Sequence, residues 1–125
     1  MKLKFFVLYL LPIILFMILI FYFSSIEYPP TLEIKYSTNY EHTLEYFILG
    51  FLLYRGFKNS KYENIAFTLA ILIAIVYGIS DEMHQYFVPG RSFDFFDMGF
   101  NSLGALLIIP IRFLERNRYF RKYFL

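Results

Sequence analysis

Three clusters of polar residues interrupt a chain that is otherwise 58% hydrophobic, and each is spaced to lie along one side of a helix. His42, Glu45 and Tyr46 stand at i, i+3 and i+4, and Asp81, His84 and Gln85 repeat that spacing. Asp94, Asp97 and Asn101 follow at i, i+3 and i+7, with Arg91 just ahead of them. Imidazoles and carboxylates held together can pass protons, so His42, Glu45, Asp81, His84 and Asp97 are the candidates for acid–base chemistry. Gln85, Asn101 and Tyr46 offer hydrogen bonds to a bound molecule. The planar guanidinium of Arg91 fits a phosphate or carboxylate of a substrate, or clamps Asp94 or Asp97 within the protein. His42, His84, Asp94 and Asp97 make a nitrogen-and-carboxylate set of the kind zinc or manganese accepts. No established ligand spacing accompanies that set, so no cofactor is expected and a divalent metal is the less favoured reading. Each cluster also has a plainer role, because polar side chains join membrane helices by hydrogen bonds. Glu82 points off the Asp81 face and is expected to be solvated.

These clusters need elements to carry them. At 125 residues the chain is a single domain, and so short a soluble protein could not hide this much apolar surface. Lipid is the expected solvent. Residues 5–23 carry no charge over a length that crosses a bilayer, and Pro12 is tolerated as a kink. The run is too long for a signal-peptide core and no small-residue cleavage site follows, so it reads as a retained helix. A polar connection with Pro29–Pro30 leads to a second helix over 40–57, which draws His42 and Glu45 into the membrane's outer layer. A third is predicted over 63–87, ended by the turn signal Val88-Pro89-Gly90, and a fourth over 94–114. The tail, 112–125, mixes basic and aromatic residues and reads as a segment lying on an anionic membrane surface. The expectation is an all-α membrane protein of about four transmembrane helices in a small bundle.

Charge orients that bundle. With both termini cytoplasmic, Lys2, Lys4, Arg55, Lys58, Lys61 and the five basic residues of the tail lie inside, and only Lys35 and Arg91 lie outside. All three polar clusters then fall at the outer ends of their helices. Facing lipid they would be costly, at roughly 2.5–3.5 kcal/mol for an ionised group near the bilayer centre. Facing one another they form a polar pocket. The absence of cysteine rules out disulfides, thiolate metal sites and thiol nucleophiles. No phosphate loop, nucleophile elbow or nucleic-acid module is present.

The motifs from His42 onward resemble the VanZ-like family. They are His42-x-x-Glu45-Tyr46-x-x-Leu49-Gly50, then Ser80-Asp81-Glu82-x-His84-Gln85-x-Phe87-Val88-Pro89-Gly90-Arg91-Ser92, then Asp94-x-x-Asp97-x-x-x-Asn101-x-x-Gly104. The resemblance covers about residues 38–107. It departs from the family just before the histidine, where Thr38 and Asn39 stand in place of Asp-Lys. It implies a small multi-helix membrane protein linked to resistance against the glycopeptide teicoplanin.

Two functions remain open. In one, the outer pocket binds, and in an enzymatic version modifies, an envelope amphiphile such as a lipid-linked cell-wall precursor. In the other, the polar stripes are structural and the protein acts by association. Membrane lipids are the expected partners, a glycopeptide or lipid-linked ligand and a homodimer are compatible, and nucleic acid is not expected.

Overall fold

A computed structural model describes residues 3–27, 38–115, 121, 122 and 124. Most of the polar connection with Pro29–Pro30, and half of the basic aromatic tail, lie outside the described residues. Every regular element among the described residues is helical.

The first helix, α1 (Leu3–Ser24), is apolar on all sides and long enough to cross a membrane. Its first turns widen to a π-type segment at Phe6–Leu10, directly ahead of Pro12. The cause is local. Proline has no N–H to give the carbonyl four residues earlier, which belongs to Leu8. The Leu8 carbonyl instead accepts from the Arg55 guanidinium at 3.3 Å, and that guanidinium also lies 5.0 Å from the Tyr9 ring centroid. Within the helix Leu11–Ser24 only Ile13, Ile20 and Ser24 are buried. Ile14, Leu15, Ile18 and Leu19 face outward, as suits a helix at the edge of a bundle in lipid.

The second helix, α2 (Thr38–Lys58), is the centre of the molecule and packs against the first, third and fourth helices. Tyr46, Leu49, Leu53 and Tyr54 are buried at helical spacing, and His42 continues the same stripe by one turn. The third, α3 (Glu63–Gln85), is again long and apolar enough to span a membrane. Its buried row consists of Ala66, Ala70, Ala74 and Gly78, four apart, and the row ends on Asp81, Glu82 and Gln85. Small residues in such a row let neighbouring backbones approach.

The fourth element departs from the expected 94–114 helix. Asp94 caps α4 (Phe95–Leu106) by accepting from the Phe96 amide at 2.7 Å. The helix stops at Leu106, turns through Leu107–Pro110, and resumes as α5 (Ile111–Leu114). Pro110 explains the break, since it cannot donate to the helix and disfavours helical geometry in the residue before it. Ile108 nevertheless stays wholly buried against the core.

Residues Val88–Arg91 form the tight turn between α3 and α4. The Arg91 amide donates to the Val88 carbonyl at 3.0 Å, with Pro89 at the second position and Gly90 at the third. Gly90 has φ 79°, the left-handed value a type II turn requires there. Gly90→Ala is therefore expected to lower stability by about 1–2 kcal/mol, read as a fall in the thermal midpoint of the detergent-solubilised protein.

Candidate functional site

The last turn of α3 sends its polar side chains in three directions, because successive residues of a helix lie about 100° apart. Asp81 and Gln85 point into the bundle, and both are buried. Gln85 Nε2 donates to Asp81 Oδ2 at 3.3 Å. Glu82 is turned to one flank, toward α4. His84 is turned to the other, toward α1.

Glu82 overturns the expectation of a solvated side chain, since none of it is exposed. Its Oε1 accepts from Asn101 Nδ2 and its Oε2 from the Asp94 backbone amide, each at 3.4 Å. The spacing of Asp81, His84 and Gln85 concealed this. The Ala66-Ala70-Ala74-Gly78 row carried the signal, because one more step of four lands on Glu82.

His84 does not join the other candidates. Its Nε2 lies 2.9 Å from Ser25 Oγ, and its ring lies 4.4 Å from that of Phe21. It ties α3 to the end of α1. Arg91 is also placed differently from the expected clamp. It donates to the carbonyls of Phe23 at 2.9 Å and Ile26 at 3.3 Å, and reaches Gln85 Oε1 at 3.5 Å. Carbonyls at a helix end have no partner within the helix, so Arg91 serves as a C-terminal cap for α1. Among the described residues no ion pair joins it to Asp94 or Asp97.

From α2, His42 is buried and its Nε2 stands 3.8 Å from Asp97 Oδ2 on α4. Its other ring nitrogen, Nδ1, is buried without a hydrogen-bond partner, as is Asn101 Oδ1. Ligand atoms of His42, Asp81 and Glu82 all lie within 4.8 Å of one another. Were both ionised, two carboxylates this close would repel by about 3.5 kcal/mol at an effective dielectric constant of ~20. The four candidate ligands His42, His84, Asp94 and Asp97 are not brought to one place, because His84 faces α1 and Asp94 caps α4. Tyr46 lies one turn deeper, wholly buried, with its ring 6.4 Å from that of Tyr77.

Beside this cluster is a half-open cavity of about 320 Å³. One wall is the end of α1, with Ile20, Phe23 and Ile26; the other is polar, with Glu41, His42 and Glu45 from α2 and Asp81 and Gln85 from α3. Arg91 and Ser24 complete it. Glu41 and the α1 wall were missed in the sequence, because nothing in an all-apolar helix marks which residues will face a chamber. The arrangement can hold a head group of modest size on donors and acceptors, with an apolar edge alongside. Exposed aromatic residues, Tyr86, Phe87, Phe95 and Phe96, surround this end of the bundle, where rings of this type sit at a membrane–water boundary.

Comparison with known proteins adds a family and a distant relative. The family model described as VanZ/LLP1 matches residues 6–114. An uncharacterised protein of Schizosaccharomyces pombe, C11E3.10, is 28% identical over 109 residues, covering 86% of this chain and 66% of that protein. The chain thus spans just under two thirds of the length of this curated relative. No solved structure matches.

Proposed function

The chain belongs to the VanZ/LLP1 family, and from that premise we propose that it is a four-span protein of the cell membrane whose chamber binds the head group of an envelope amphiphile. Two apolar helices and the family make it a membrane protein. The fuller topology is read from charge: Arg55, Lys58 and Lys61 lie at the end opposite the chamber, and by the preference of basic residues for the inner side both termini face the cytoplasm and the chamber faces outward in this reading.

The observation that carries the reading is the two-sided wall of the cavity. An apolar edge from α1 opposes a polar edge from α2 and α3, which suits a molecule with one chain in lipid and one end in water. Glu41, Glu45 and Asp81 outnumber Arg91 there, and Arg91 donates to the Phe23 and Ile26 carbonyls and to Gln85 Oε1. A head group rich in donors, such as the hydroxyls and amines of a lipid-linked cell-wall precursor, fits that balance. In this reading any connection to teicoplanin resistance runs through the envelope lipid held in the chamber. Not all of the polar groups serve the ligand. Glu82 with Asn101, and His42 with Asp97, also fasten α2 and α3 to α4.

Native mass spectrometry of the protein released from membranes tests this. The wild-type chain is expected to carry a bound lipid with a sugar or amine head group, and Ile20→Trp, which narrows the cavity, is expected to lose it. A wild-type protein free of lipid, or an Ile20→Trp variant carrying the same amount, would contradict the proposal.

A further inference from the structure

The geometry points to a divalent-cation site, of the zinc or manganese class, formed by His42, Asp81 and Glu82 where α2 and α3 meet. Three observations converge on it. The three side chains are all buried and offer one ligand atom each within 4.8 Å of one another. An imidazole with two carboxylates is a donor set that zinc and manganese accept, whereas magnesium and calcium prefer oxygen alone. Two buried polar atoms in the same cluster, His42 Nδ1 and Asn101 Oδ1, have no hydrogen-bond partner.

The surroundings suit a cation as well. Asn101 and the Asp94 amide orient the Glu82 carboxylate, and Gln85 orients that of Asp81. Metal ligands are commonly held by such supporting bonds. Asp97, 3.8 Å from His42 Nε2, adds a nearby negative charge. His42 and Asp81 line the half-open cavity, so an ion has a path from the aqueous side. A bound cation offsets the repulsion between Asp81 and Glu82 and gives two buried carboxylates a reason to share one place. This site stands whether or not the chamber holds a lipid.

The test uses the full-length chain in detergent, stripped with a chelator and titrated with Mn²⁺ and, separately, Zn²⁺. One equivalent of at least one ion is expected to bind saturably. His42→Gln and Asp81→Asn are each expected to weaken binding at least tenfold, while Glu63→Gln, at the far end of the bundle, leaves it unchanged. Electron spin-echo spectroscopy of Mn²⁺ on the wild-type chain provides a reading that needs no variant at those ligands: it should show coupling to an imidazole nitrogen, and the same coupling in His84→Ala. The proposal is overturned by the absence of saturable binding of either ion, by affinity unchanged in both ligand variants, or by Mn²⁺ bound without nitrogen coupling.

Discussion

Gly104→Ala should destabilise the bundle by about 3 kcal/mol or more, although alanine is the better helix former. A Cβ at this position runs into the Thr43 carbonyl oxygen on α2, with the Phe47 amide nitrogen 3.0 Å away. Overpacking by a methyl group costs roughly 1–3 kcal/mol where side chains can yield. Here the obstacle is backbone, so α2 and α4 must separate. Separation would pull Asp97 from His42 and loosen the Thr43 hydroxyl from the Phe100 carbonyl, which it meets at 3.4 Å. Gly99 provides the control, five residues earlier on the same helix. Its Cβ would meet nothing within 4 Å, so Gly99→Ala should be neutral or stabilise by up to about 1 kcal/mol. Thermal unfolding of the two variants in one detergent checks the contrast. Equal effects from the two substitutions would mean that α2 and α4 do not pack this closely.

Asp81→Asn is expected to cut ligand capture at least tenfold, about 1.4 kcal/mol, with little loss of stability. The substitution removes the charge from the one carboxylate that belongs to both the cation cluster and the cavity wall. It keeps the shape, and an amide oxygen can still accept from Gln85. His84→Ala should behave in the opposite way. It breaks the link to Ser25 and the ring contact with Phe21, so it should lower the melting temperature and leave binding nearly intact. Co-purified lipid and the thermal midpoint, measured on both proteins, separate the two roles. An Asp81→Asn protein that binds normally, or a His84→Ala protein that is stable but empty, would reverse the assignment.

The sequence was informative where periodicity and composition act over a whole helix. The charge-free first run, the buried stripe of α2 and the alternation of apolar spans with basic turns all follow from side-chain chemistry read along the chain. The Val88-Pro89-Gly90 turn was equally open, because only glycine takes its third position without strain. Direction around a helix was harder. His84 sits three residues after Asp81 and so shares its side by simple spacing, but α1 lies on that flank and draws the imidazole away. Glu82 sits on the other flank, where α4 covers it. The row of small residues four apart leads to Glu82, but the place of His84 does not follow from spacing, because it depends on which neighbour stands on its flank. Arg91 illustrates a different limit. A guanidinium beside two aspartates predicts an ion pair, yet the carbonyls at the end of α1, more than sixty residues earlier, compete for it and win. Pro110 signals the break in the fourth helix, against an apolar run that by itself favours one continuous span.

The chain has no native cysteine, so single cysteines can report on the chamber directly. Glu45 lines it and is half-buried, while Lys61 is exposed in the basic turn at the opposite end. In intact cells, Glu45→Cys should react with a membrane-impermeant maleimide, and Lys61→Cys should react only after the membrane is opened. Labelling at position 61 with none at 45 would put the polar ends of these helices on the cytoplasmic side, and no water-filled, outward-facing chamber could then exist.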